Sequence, residues 1–465
     1  MQSRLSISAF KSCSVVGLGV SNLPLVRFLS GRGMRLVARD EKSEAELGEG
    51  AAQIRALGAR LIAGGNYLQD LNEELIFRSP GMRPDLPEFS RAVARGSRLT
   101  TEIECFLENS PALTLGITGS DGKTTTTTLT GLFLEEERKR KNGGRVFVGG
   151  NIGKPLLPEI TAMTERDFAV VELSSFQLQG CGLSPDRAAI TNLSPNHLNW
   201  HTDMAEYIAA KTEIFKHARC KSLVLNADNE LTAALAKYTS VSVTLFSRHG
   251  RPKGTEKCVF VRDGMIFSDF GAGEERVLPA ADIRLPGKHN LENYLAAIAL
   301  TEGLVSPESI AAVAKTFGGV AHRLQMIRTV GGVTYYNSSI DSTPTRTRAA
   351  LSALAGQGVR PVVICGGYDK HLSYAPLAEA LELYAKAAVL TGQTANAIAG
   401  EIAGCNSAFP FWIEPEFRAA VEKAKELAKP GDVVLLSPAC ASFDAFRNFA
   451  ERGETFCKIV NEFSE

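Results

Sequence analysis

The segment LTLGITGSDGKTTTTTLTGLFLEEE, residues 113–137, is the part of the sequence that decides the fold. It begins as an apolar strand, turns at Gly119 and Gly122, and continues as a helix from Lys123. A strand, a glycine-rich turn and a helix in this order are typical of a phosphate-binding loop, in which helix N-terminal amides face an anion. The spacing GxxGKT is shorter than the usual GxxxxGK[ST], because Ile117 stands where the first glycine would be.

The residue types in this loop suit a nucleoside triphosphate. Lys123 supplies a positive charge for the β- and γ-phosphates, and the Thr124 hydroxyl is placed to hold Mg²⁺. The alternative is a threonine-rich helix start whose hydroxyls cap the first amides. Five consecutive threonines are a poor helix interior, so we expect contacts beyond intrinsic helix propensity to hold them there.

The composition is that of an ordinary globular protein. The chain has 465 residues, of which 44% are hydrophobic and 22% charged, and its formal net charge is zero. The length predicts two to four domains, and the charge balance gives no global field that would favour nucleic acid or a membrane surface. Nine cysteines without a C-x-x-C pair favour reduced thiols over disulfides or a zinc site. Because no signal-peptide core or run of 18 apolar residues is visible, we expect a cytoplasmic protein.

The first part of the chain is typical of a βαβ unit. Gly17 and Gly19 lie at its first turn, and Asp40 ends its second strand, where an acid commonly binds a ribose hydroxyl. Asn22 replaces the third glycine of GxGxxG, so a plain βα turn without a ligand stays open as an alternative. A further strand ends at Ser79. Ligands of open α/β sheets bind beyond the carboxyl ends of strands, so we expect these tips to converge on one small molecule.

Polar residues end several apolar runs that follow the phosphate loop. The runs FVGGNIG, FAVVELSSFQL, AAITNLSPNHL and SLVLNAD predict buried parallel strands with functional tips. Glu172 ends the run AVVE, where its carboxylate can face a Mg²⁺ held by Thr124. A glutamate on an amphipathic surface strand is the alternative. We favour the metal, because an acid that ends an apolar strand rarely lies buried without a partner.

Two further regions carry candidate polar residues. His197 precedes a helix that contains Lys211, and by themselves these residues fit a structural histidine and a solvated lysine better than a functional pair. Asn290 and Asn293 lie one turn apart on a predicted helix, where their amides can read a base edge or cap the helix start.

The last part of the chain again alternates strands and helices. The turns at residues 366–370 and 437–442 can each hold a carboxylate through amides and charge-assisted hydrogen bonds. We place domain boundaries so that the domains span residues 1–110, 111–319 and 320–465. Three α/β units with polar strand tips predict three substrates that meet between domains.

Taken together, these motifs resemble the Mur ligases. The resemblance covers essentially the whole chain and rests on GITGSDGKTTTTT, GGNIGKP, VVELSSFQL, NLSPNHL, AAKTEIF, GKHNLENYLAA, HRL, CGGYDK and SPACASFDAFRNFAERGETF. It implies an α/β protein of three domains: N-terminal Rossmann-like, central P-loop ATPase with a mostly parallel sheet, and C-terminal Rossmann-like. CGGYDK and SPACASFDAFRNF resemble the branch of the family that adds D-glutamate.

The resemblance implies an ATP-dependent ligase of peptidoglycan synthesis. It would join D-glutamate to UDP-N-acetylmuramoyl-L-alanine (UDP-MurNAc-L-Ala) through an acyl phosphate made from ATP, with two Mg²⁺ ions. The implied partners are these small molecules, with no nucleic acid and no membrane, and the implied state is a monomer. Domain closure would exclude water from the acyl phosphate.

The family's functional positions can be carried over to this sequence in four groups. The resemblance implies that catalysis involves Lys123, Lys211, His197 and Arg323. It implies that ATP contacts Gly119, Ser120, Asp121, Gly122, Lys123, Thr124, Thr125, Asn290, Asn293 and Arg323. It implies that the metal ions are held by Thr124, Glu172, His197 and a carbamate on Lys211. It implies that the UDP substrate contacts Gly17, Val20, Ser21, Asp40, Glu41, Ser79, Gly81 and Asn151, and D-glutamate contacts Ser342, Lys370, Ser442, Phe443 and Phe449.

A carbamate would explain a lysine beside a metal. A lysine amine with a pKa of about 10.4 must lose its proton before it can capture CO₂. Capture turns a cation into an anionic oxygen ligand.

Four positions depart from the family pattern. Asn199 stands where an Asp usually follows the metal-site histidine, and Gln325 replaces the Glu of HRLE. Ser338 replaces an Asp, and Asp341 replaces an Ala close to the expected D-glutamate pocket, where an acid can repel an anionic substrate. We interpret these changes as altered kinetics, because the phosphate-loop and metal-site residues remain.

Three other functions compete with this interpretation. An NAD-dependent oxidoreductase would rest on Gly17, Gly19 and Asp40, but it leaves GSDGKT unexplained. A non-catalytic nucleotide-binding or scaffold protein is suggested by Ser338 and Asp341. A sister ligase for another amino acid, or a folylpolyglutamate synthetase-like enzyme, would share most of the motifs.

Overall fold

The computed structural model describes residues 6–19, 22–198, 200–285, 287–370, 372–405 and 408–464. These residues form three β-sheets, two within the compact unit Met1–Thr316 and one within the unit Phe317–Glu465. The predicted α/β class with three domains is confirmed. The domain boundaries at 110/111 and 319/320 stay predictions.

The first sheet is parallel throughout its described strands. Its strands are β1 (Ser12–Val16), β2 (Arg35–Asp40), β3 (Arg60–Ala63), β4 (Leu75–Arg78) and β5 (Arg98–Thr100). They lie in the order β3-β2-β1-β4-β5. The chain order reverses between β1 and β4, so the loops after these two strands flank the crevice where such sheets bind ligands. The helices of this region are α1 (Asn22–Ser30), α2 (Glu44–Leu47), α3 (Glu49–Ala56), α4 (Pro87–Ala94) and α5 (Glu102–Asn109).

The second sheet has nine strands in the described chain. They are β6 (Leu113–Thr118), β7 (Val146–Gly150), β8 (Phe168–Glu172), β9 (Arg187–Ile190), β10 (Ser222–Asn226), β11 (Ser242–Ser247), β12 (Lys257–Arg262), β13 (Met265–Phe270) and β14 (Glu274–Pro279). Their order is β14-β13-β12-β11-β10-β9-β6-β8-β7, and neighbouring strands are parallel except in the antiparallel pairs β12–β13 and β13–β14. Strand β6 therefore lies between β8 and β9, and the tips of all three strands meet at one edge. The helices are α6 (Lys123–Lys141), α7 (Ser175–Leu178), α8 (Met204–Lys216), α9 (Glu230–Leu235), α10 (Lys288–Leu300) and α11 (Pro307–Thr316).

Tertiary packing holds the threonine run in helix α6. Thr124, Thr126 and Thr127 are buried, and the helix packs against α10 and α11. The Thr128 hydroxyl donates to the carbonyl of Thr124 inside the helix at 2.8 Å, and the Thr126 hydroxyl donates to Asn293 of α10 at 3.3 Å. The rings of Phe133 and Tyr294 lie 6.0 Å apart across the α6–α10 contact. Burial of this face compensates for the low helix propensity of the run.

The third sheet lies in the second compact unit. Its strands are β15 (Gln325–Val330), β16 (Val333–Asn337), β17 (Val362–Gly366), β18 (Ala387–Thr391), β19 (Phe411–Ile413) and β20 (Val433–Leu436). They lie in the order β15-β16-β20-β17-β18-β19, and β15 alone among them runs antiparallel to its neighbour. The tips of β16, β20 and β17 are consequently adjacent. The helices are α12 (Pro344–Ala355), α13 (Ala375–Tyr384), α14 (Ala395–Gly404), α15 (Phe417–Leu427) and α16 (Phe449–Glu462).

The remaining regular elements are short 3₁₀ helices at Ser6–Ala9, Leu157–Ala162, Ala236–Tyr238 and Ala280–Asp282. All nine cysteines are free thiols, in agreement with the sequence. Within the described residues, every helix is too short or too polar to cross a lipid bilayer.

Candidate active site

The phosphate loop connects β6 to α6 and is braced by the neighbouring strand tip. The Ser120 amide donates to the carbonyl of Asn192, and the Asp121 amide donates to the Asn192 side-chain oxygen, both at 2.9 Å. Ser120 also exchanges hydrogen bonds of 2.9 Å with the backbone of Ser194. Asp121 is exposed and Lys123 half-buried, so the loop opens to solvent on this side.

The two glycines of the loop are required by close packing. Gly119 has φ +148° and Gly122 has φ +77°, both in the left-handed half of the backbone map. A Cβ on Gly119 would lie 1.9 Å from the Thr191 hydroxyl, and one on Gly122 would lie 2.2 Å from the Asn293 side-chain oxygen. The sequence predicted glycine at these positions because a bare backbone lets an anion reach the loop amides. The structure adds that neighbouring side chains already exclude a Cβ.

Lys123 lies over the loop that it follows. Its ammonium group donates to the carbonyls of Gly119 and Ser120, each at 2.9 Å. Helix α6 begins after Gly122 without a side-chain cap. The amides of Thr124 and Thr125 therefore rely on water or on an anion, the arrangement that binds phosphate at helix N-termini.

Lys211 on helix α8 is almost completely buried, with 1% of its surface exposed. Its ammonium nitrogen bonds the Thr118 hydroxyl at 3.2 Å and the Gly119 carbonyl at 2.8 Å, and it lies 4.8 Å from the ring centre of Tyr207. Burial, and next the charge of Lys123, hold the pKa of Lys211 well below its usual value. The chain thus places a buried lysine with a lowered pKa directly beneath the phosphate loop.

Glu172 ends strand β8 and is 1% exposed. One carboxylate oxygen accepts a hydrogen bond of 2.7 Å from the Asn151 side chain, and the Asn151 amide donates to the Glu172 carbonyl at 2.8 Å. The other oxygen, Oε2, is buried and has no hydrogen-bond partner. An orphaned buried carboxylate oxygen fits a cation ligand, because such an atom otherwise pays its full desolvation cost.

His197 lies in the loop before α8 and is exposed. Its backbone has φ +56°, and its carbonyl accepts from the Trp200 amide at 3.0 Å. The Phe176 ring lies 4.9 Å from the imidazole centre. Desolvation, followed by the charges of Lys123 and Lys211, lowers the pKa of His197, which favours the neutral form that can bind a metal. Among the described residues, no three His, Cys, Asp or Glu side chains gather around one point.

Asn290 and Asn293 lie on the buried face of α10, next to the start of α6. The Asn293 amide donates to the Asn290 side-chain oxygen at 3.2 Å, and its own oxygen accepts from Thr126 at 3.3 Å. The sequence left base recognition and helix capping open for this pair. The structure shows that it packs against the phosphate helix.

The tips of β1, β2 and β4 in the first sheet are adjacent, and their binding of one small molecule stays a prediction. A Cβ on Gly17 would lie 2.7 Å from the Cβ of Ser79, and the Ser79 amide donates to the end of β1. The Asp40 carboxylate accepts from the Leu18 amide at 2.6 Å and from the Lys42 amide at 2.9 Å. Asp40 therefore ties the ends of β1 and β2 together.

Asn22, which replaces the third glycine of the motif, helps to hold the first turn. Its side-chain amide donates to the carbonyls of Val16 and Gly17, at 3.2 and 2.8 Å. Of the other residues expected at this substrate site, Asn151 contacts Glu172 as described, Glu41 and Gly81 are exposed, and Val20 and Ser21 lie outside the described residues.

In the second unit, two loops expected at D-glutamate are adjacent. The Tyr368 amide donates to the Ala441 carbonyl at 2.9 Å, and the Tyr368 and Phe443 rings lie 5.9 Å apart. A Cβ on Gly367 would lie 2.2 Å from the Ala441 carbonyl oxygen. The loops after β17 and β20 thus form one rim. Of the residues expected there, Ser442 is buried, Ser342 half-buried, and Lys370, Phe443, Phe449 and Arg323 exposed.

Asp341 is turned inward. It is 7% exposed, and its carboxylate accepts from the Ser437 hydroxyl at 2.8 Å. Burial raises the pKa of Asp341. Ser338 accepts from the Leu324 amide at 3.1 Å, and Gln325 accepts from the His322 amide at 3.1 Å. An inward, hydrogen-bonded Asp341 weakens the idea that this acid repels a substrate. Asn199 lies outside the described residues.

Sequence reasoning missed the residues that hold the site in place. Asn192 braces the phosphate loop, Tyr207 covers Lys211, and Phe176 backs His197. Arg452, 2% exposed, crosslinks the loops after β16 and β20. A polar residue directly after an apolar strand was a usable signal for Asn192. Tyr207 lies one helical turn before Lys211, whereas the contacts of Phe176 with His197 and of Arg452 with Ser339 join residues far apart in sequence.

Models of three protein domains match successive parts of this chain. They are "Mur ligase MurD-like, N-terminal domain" at residues 11–101, "Mur ligase middle domain" at 117–301, and "Mur ligase, glutamate ligase domain" at 322–440. The chain therefore belongs to the Mur ligase family. Members of this family are ATP-dependent ligases that form amide bonds and generally use Mg²⁺, which confirms the predicted class of enzyme.

Several full-length relatives carry one particular name. Proteins called UDP-N-acetylmuramoylalanine–D-glutamate ligase are similar to this chain: 45% identity for Clostridium novyi over 97% of this chain and 96% of that protein, and 43% for Symbiobacterium thermophilum over 97% and 98%. The corresponding Acetivibrio thermocellus protein is 41% identical over 97% and 96%. The crystal structure of UDP-N-acetylmuramate-alanine ligase from Thermotoga maritima shares the fold, with a TM-score of 0.51 at 18% identity over 97% of this chain and 99% of that one.

Proposed function

We propose that this enzyme joins D-glutamate to UDP-MurNAc-L-Ala in peptidoglycan synthesis, with ATP as the energy source. The observation that carries the proposal is the identity of 41–45%, over nearly the whole chain, to ligases that bear the names of these two substrates. The geometry supports it, because an open phosphate loop, a buried orphaned carboxylate oxygen and a buried lysine lie at one sheet edge.

The chemistry is activation of a carboxylate. The alanyl carboxylate attacks the γ-phosphorus of ATP, which gives an acyl phosphate and ADP. The amine of D-glutamate then attacks the acyl carbon, and the amide forms as inorganic phosphate leaves and the nitrogen loses a proton. The loop amides, Lys123 and Arg323 stabilise the negative charge of the transferring phosphoryl group.

The same edge suits two Mg²⁺ ions. Thr124 and Glu172 would hold one ion, and the orphaned Oε2 of Glu172 supports this assignment. His197 and a carbamate on Lys211 would hold the other. Magnesium bound there would neutralise charge on the phosphate oxygens.

Carbamylation of Lys211 is consistent with its environment. The nitrogen lone pair attacks the carbon of CO₂ and the amine gives up a proton, so the reaction requires the neutral amine. Burial, and next the charge of Lys123, lower the pKa of Lys211 and so make that form easier to reach than in an exposed lysine. The resulting anion would also relieve the repulsion between Lys211 and Lys123.

The substrates are assigned to the remaining strand tips. The UDP moiety would lie against Gly17, Val20, Ser21, Asp40, Glu41, Ser79 and Gly81, with Asn151 further along the substrate. Adenine would contact Asn290 and Asn293, and D-glutamate would contact Ser342, Lys370, Ser442, Phe443 and Phe449. The proposal includes a monomer that works in the cytoplasm, where ATP is available.

Phosphate release with one component omitted at a time tests this function. We expect release only when ATP, Mg²⁺, UDP-MurNAc-L-Ala and D-glutamate are all present. Release without the UDP substrate would indicate an ATPase of another kind. No release with all four, from protein that binds ATP, would indicate a non-catalytic nucleotide-binding protein.

A further inference from the structure

The loop after β4 is joined to the loop before α8 by a set of hydrogen bonds. The Trp200 indole N–H donates to the Gly81 carbonyl at 3.1 Å. Arg83 donates to the Trp200 carbonyl at 3.2 Å and to the Glu206 carboxylate at 2.8 Å. We call Arg83, Trp200 and Glu206 the loop link. It connects the first sheet to the second within one compact unit.

Glu206 is the centre of the loop link. Besides Arg83, its carboxylate accepts from the Thr202 amide at 2.6 Å and from the Gln179 side chain at 3.1 Å. The ion pair is partly buried, with 28% of the Arg83 side chain and 18% of the Glu206 side chain exposed. Arg83 contacts the Glu206 carboxylate through two nitrogens, at 3.4 and 2.8 Å, and makes a second two-nitrogen contact, of 2.9 Å at each nitrogen, to Asp85 in its own loop. Such contacts fix the direction of the guanidinium as well as its distance.

Each end of the loop link leads to residues of the proposed site. On one side, Gly81 and Ser79 belong to the loop assigned to the UDP substrate. On the other side, Trp200 packs edge-on against Phe176 at 4.8 Å, and Phe176 backs His197. Glu206 lies in the first turn of α8, the helix that carries Lys211.

We propose that the loop link sets the position of the UDP-substrate loop relative to the phosphate loop. Arg83, Trp200 and Glu206 are positioning residues in this account, since none of them is assigned to a substrate. The inference rests on the proposed function for the identity of the substrate, but the contacts themselves do not depend on it. Breaking the loop link should weaken binding of the UDP substrate and leave binding of D-glutamate unchanged.

Steady-state kinetics of Arg83→Gln test this proposal, with Arg91→Gln as the matched control. Arg91 lies in the same region, and its ion pair within the described residues is with Glu88, one helical turn away. We expect Arg83→Gln to raise KM for UDP-MurNAc-L-Ala about tenfold, which corresponds to the usual coupling energy of two contacting residues. KM for D-glutamate should stay within about twofold of the wild-type value. Arg83→Lys should restore part of the loss, because it keeps the charge without the two-nitrogen contact. Equal behaviour of Arg83→Gln and Arg91→Gln would overturn the proposal.

Coupling separates positioning from simple destabilisation. If Arg83 and Glu206 act through one shared contact, loss of both should cost no more than loss of one. We therefore expect the double variant Arg83→Gln/Glu206→Gln to bind the UDP substrate as tightly as the single variant with the lower affinity. The proposal would be overturned if the losses of affinity in the two single variants added up in the double variant. It would also be overturned if kcat fell while every KM stayed unchanged. Trp200→Phe keeps an aromatic ring at this position but removes the indole N–H donor, so it should raise the same KM by about threefold.

A binding measurement distinguishes failure of the link from failure of the proposed function. Trp200 and Trp412 are the two tryptophans of the sequence, so Trp412→Phe leaves Trp200 as the only indole reporter. In that background we titrate UDP-MurNAc-L-Ala and UDP without ATP, and follow Trp200 emission. We expect Arg83→Gln to weaken the titration about tenfold. If Arg83→Gln leaves the dissociation constant of the UDP substrate unchanged, the positioning role of the loop link is overturned, even if the enzyme is active. If the constant rises, that role is supported, even if the enzyme proves to ligate another amino acid.

Discussion

Two buried cations at strand tips, Lys211 in the first unit and Arg452 in the second, have opposite surroundings. Arg452 donates to the Ser339 hydroxyl and carbonyl and to the carbonyls of Ala441 and Cys440, at 2.9–3.1 Å. Burial lowers the pKa of Arg452 only to about 10, so it stays charged. Lys211 has only two hydrogen-bond acceptors among the described residues, and burial together with the charge of Lys123 holds its pKa well below the usual value.

Two buried acids repeat this difference. Glu137 on α6 accepts from the Ser306 and Ser309 hydroxyls, both at 2.6 Å, and pairs with Lys141. Glu172 has one partner and one orphaned oxygen. The Oε1 atom of Glu137 has an ion-pair partner, Lys141, whereas Oε2 of Glu172 has neither a hydrogen-bond nor an ion-pair partner among the described residues. A buried charged group whose atoms all have such partners stabilises the fold, whereas one with an unpartnered atom points to a ligand or a modification. The following experiments test this distinction.

The largest effect is expected at Lys211. Lys211→Ala removes the proposed carbamate, and we expect turnover to fall by about 10³-fold or more. Short carboxylic acids such as acetate should restore part of it, because they can place an anionic oxygen in the vacated space. Phosphate release with and without acetate measures this, and Lys216→Ala, an exposed lysine on the same helix, is the control. Full activity of Lys211→Ala without added acid would contradict the carbamate.

The two buried glutamates should respond differently to amidation. We expect Glu172→Gln to lower kcat by about 10²-fold and to raise the Mg²⁺ concentration needed for half-maximal rate. Glu137→Gln should lower stability and leave the Mg²⁺ requirement unchanged. Mg²⁺ titrations of both variants at saturating substrates provide the comparison. If both variants needed the same Mg²⁺ concentration, the assignment of the Glu172 Oε2 atom as a Mg²⁺ ligand would be contradicted.

Arg452 should matter for stability. Arg452→Met leaves buried carbonyls without donors, and we expect the free energy of unfolding of the second unit to fall by about 3 kcal/mol. Trp412 lies in that unit, so urea melts followed by its emission in a Trp200→Phe background report this unit. If Arg452→Met left stability unchanged but abolished turnover, Arg452 would serve the reaction, as proposed for Lys211, and not the stability of the fold.

The smallest effect is expected in the pH dependence of the Arg83–Glu206 pair. Hydrogen bonds from Arg83 and Thr202 lower the pKa of Glu206 to about 2, against about 4.3 for an unfolded chain. The pair therefore stabilises the folded state fully above about pH 5, and this contribution is lost as the pH falls towards 2. Since the pair is partly exposed, we expect a stability difference of about 1 kcal/mol or less between wild type and Glu206→Gln at pH 7. Urea melts from pH 3 to 7 should show it shrinking with acid. A difference that does not vary with pH would contradict the assignment.

The sequence predicted the parts of the fold that local patterns determine. Apolar runs followed by polar residues located β6, β8, β9 and β10, and the order of these strands placed Glu172 beside the phosphate loop. The antiparallel strands β13 and β14 were not predicted, because their mixed pattern of charged and apolar residues has no clear period.

The supporting contacts of the site could not be read from the sequence. The Arg452 crosslink and the Arg83–Glu206 pair join segments more than 100 residues apart, and nothing local distinguishes these arginines from solvated ones. The burial of Lys211 follows from the way α8 packs under β6, and the helix sequence alone favoured a solvated lysine. The family resemblance, and not the pattern, singled out this residue.

The most direct test of the central claim is the identity of the ligation product. The enzyme is given ATP, Mg²⁺ and UDP-MurNAc-L-Ala together with equal amounts of D-glutamate, L-glutamate, L-alanine, L-lysine and diaminopimelate. The products are separated by chiral chromatography and identified by mass spectrometry. We expect a single product that contains D-glutamate, formed with one ADP and one phosphate. A product that contains any other amino acid in its place would contradict the proposed function.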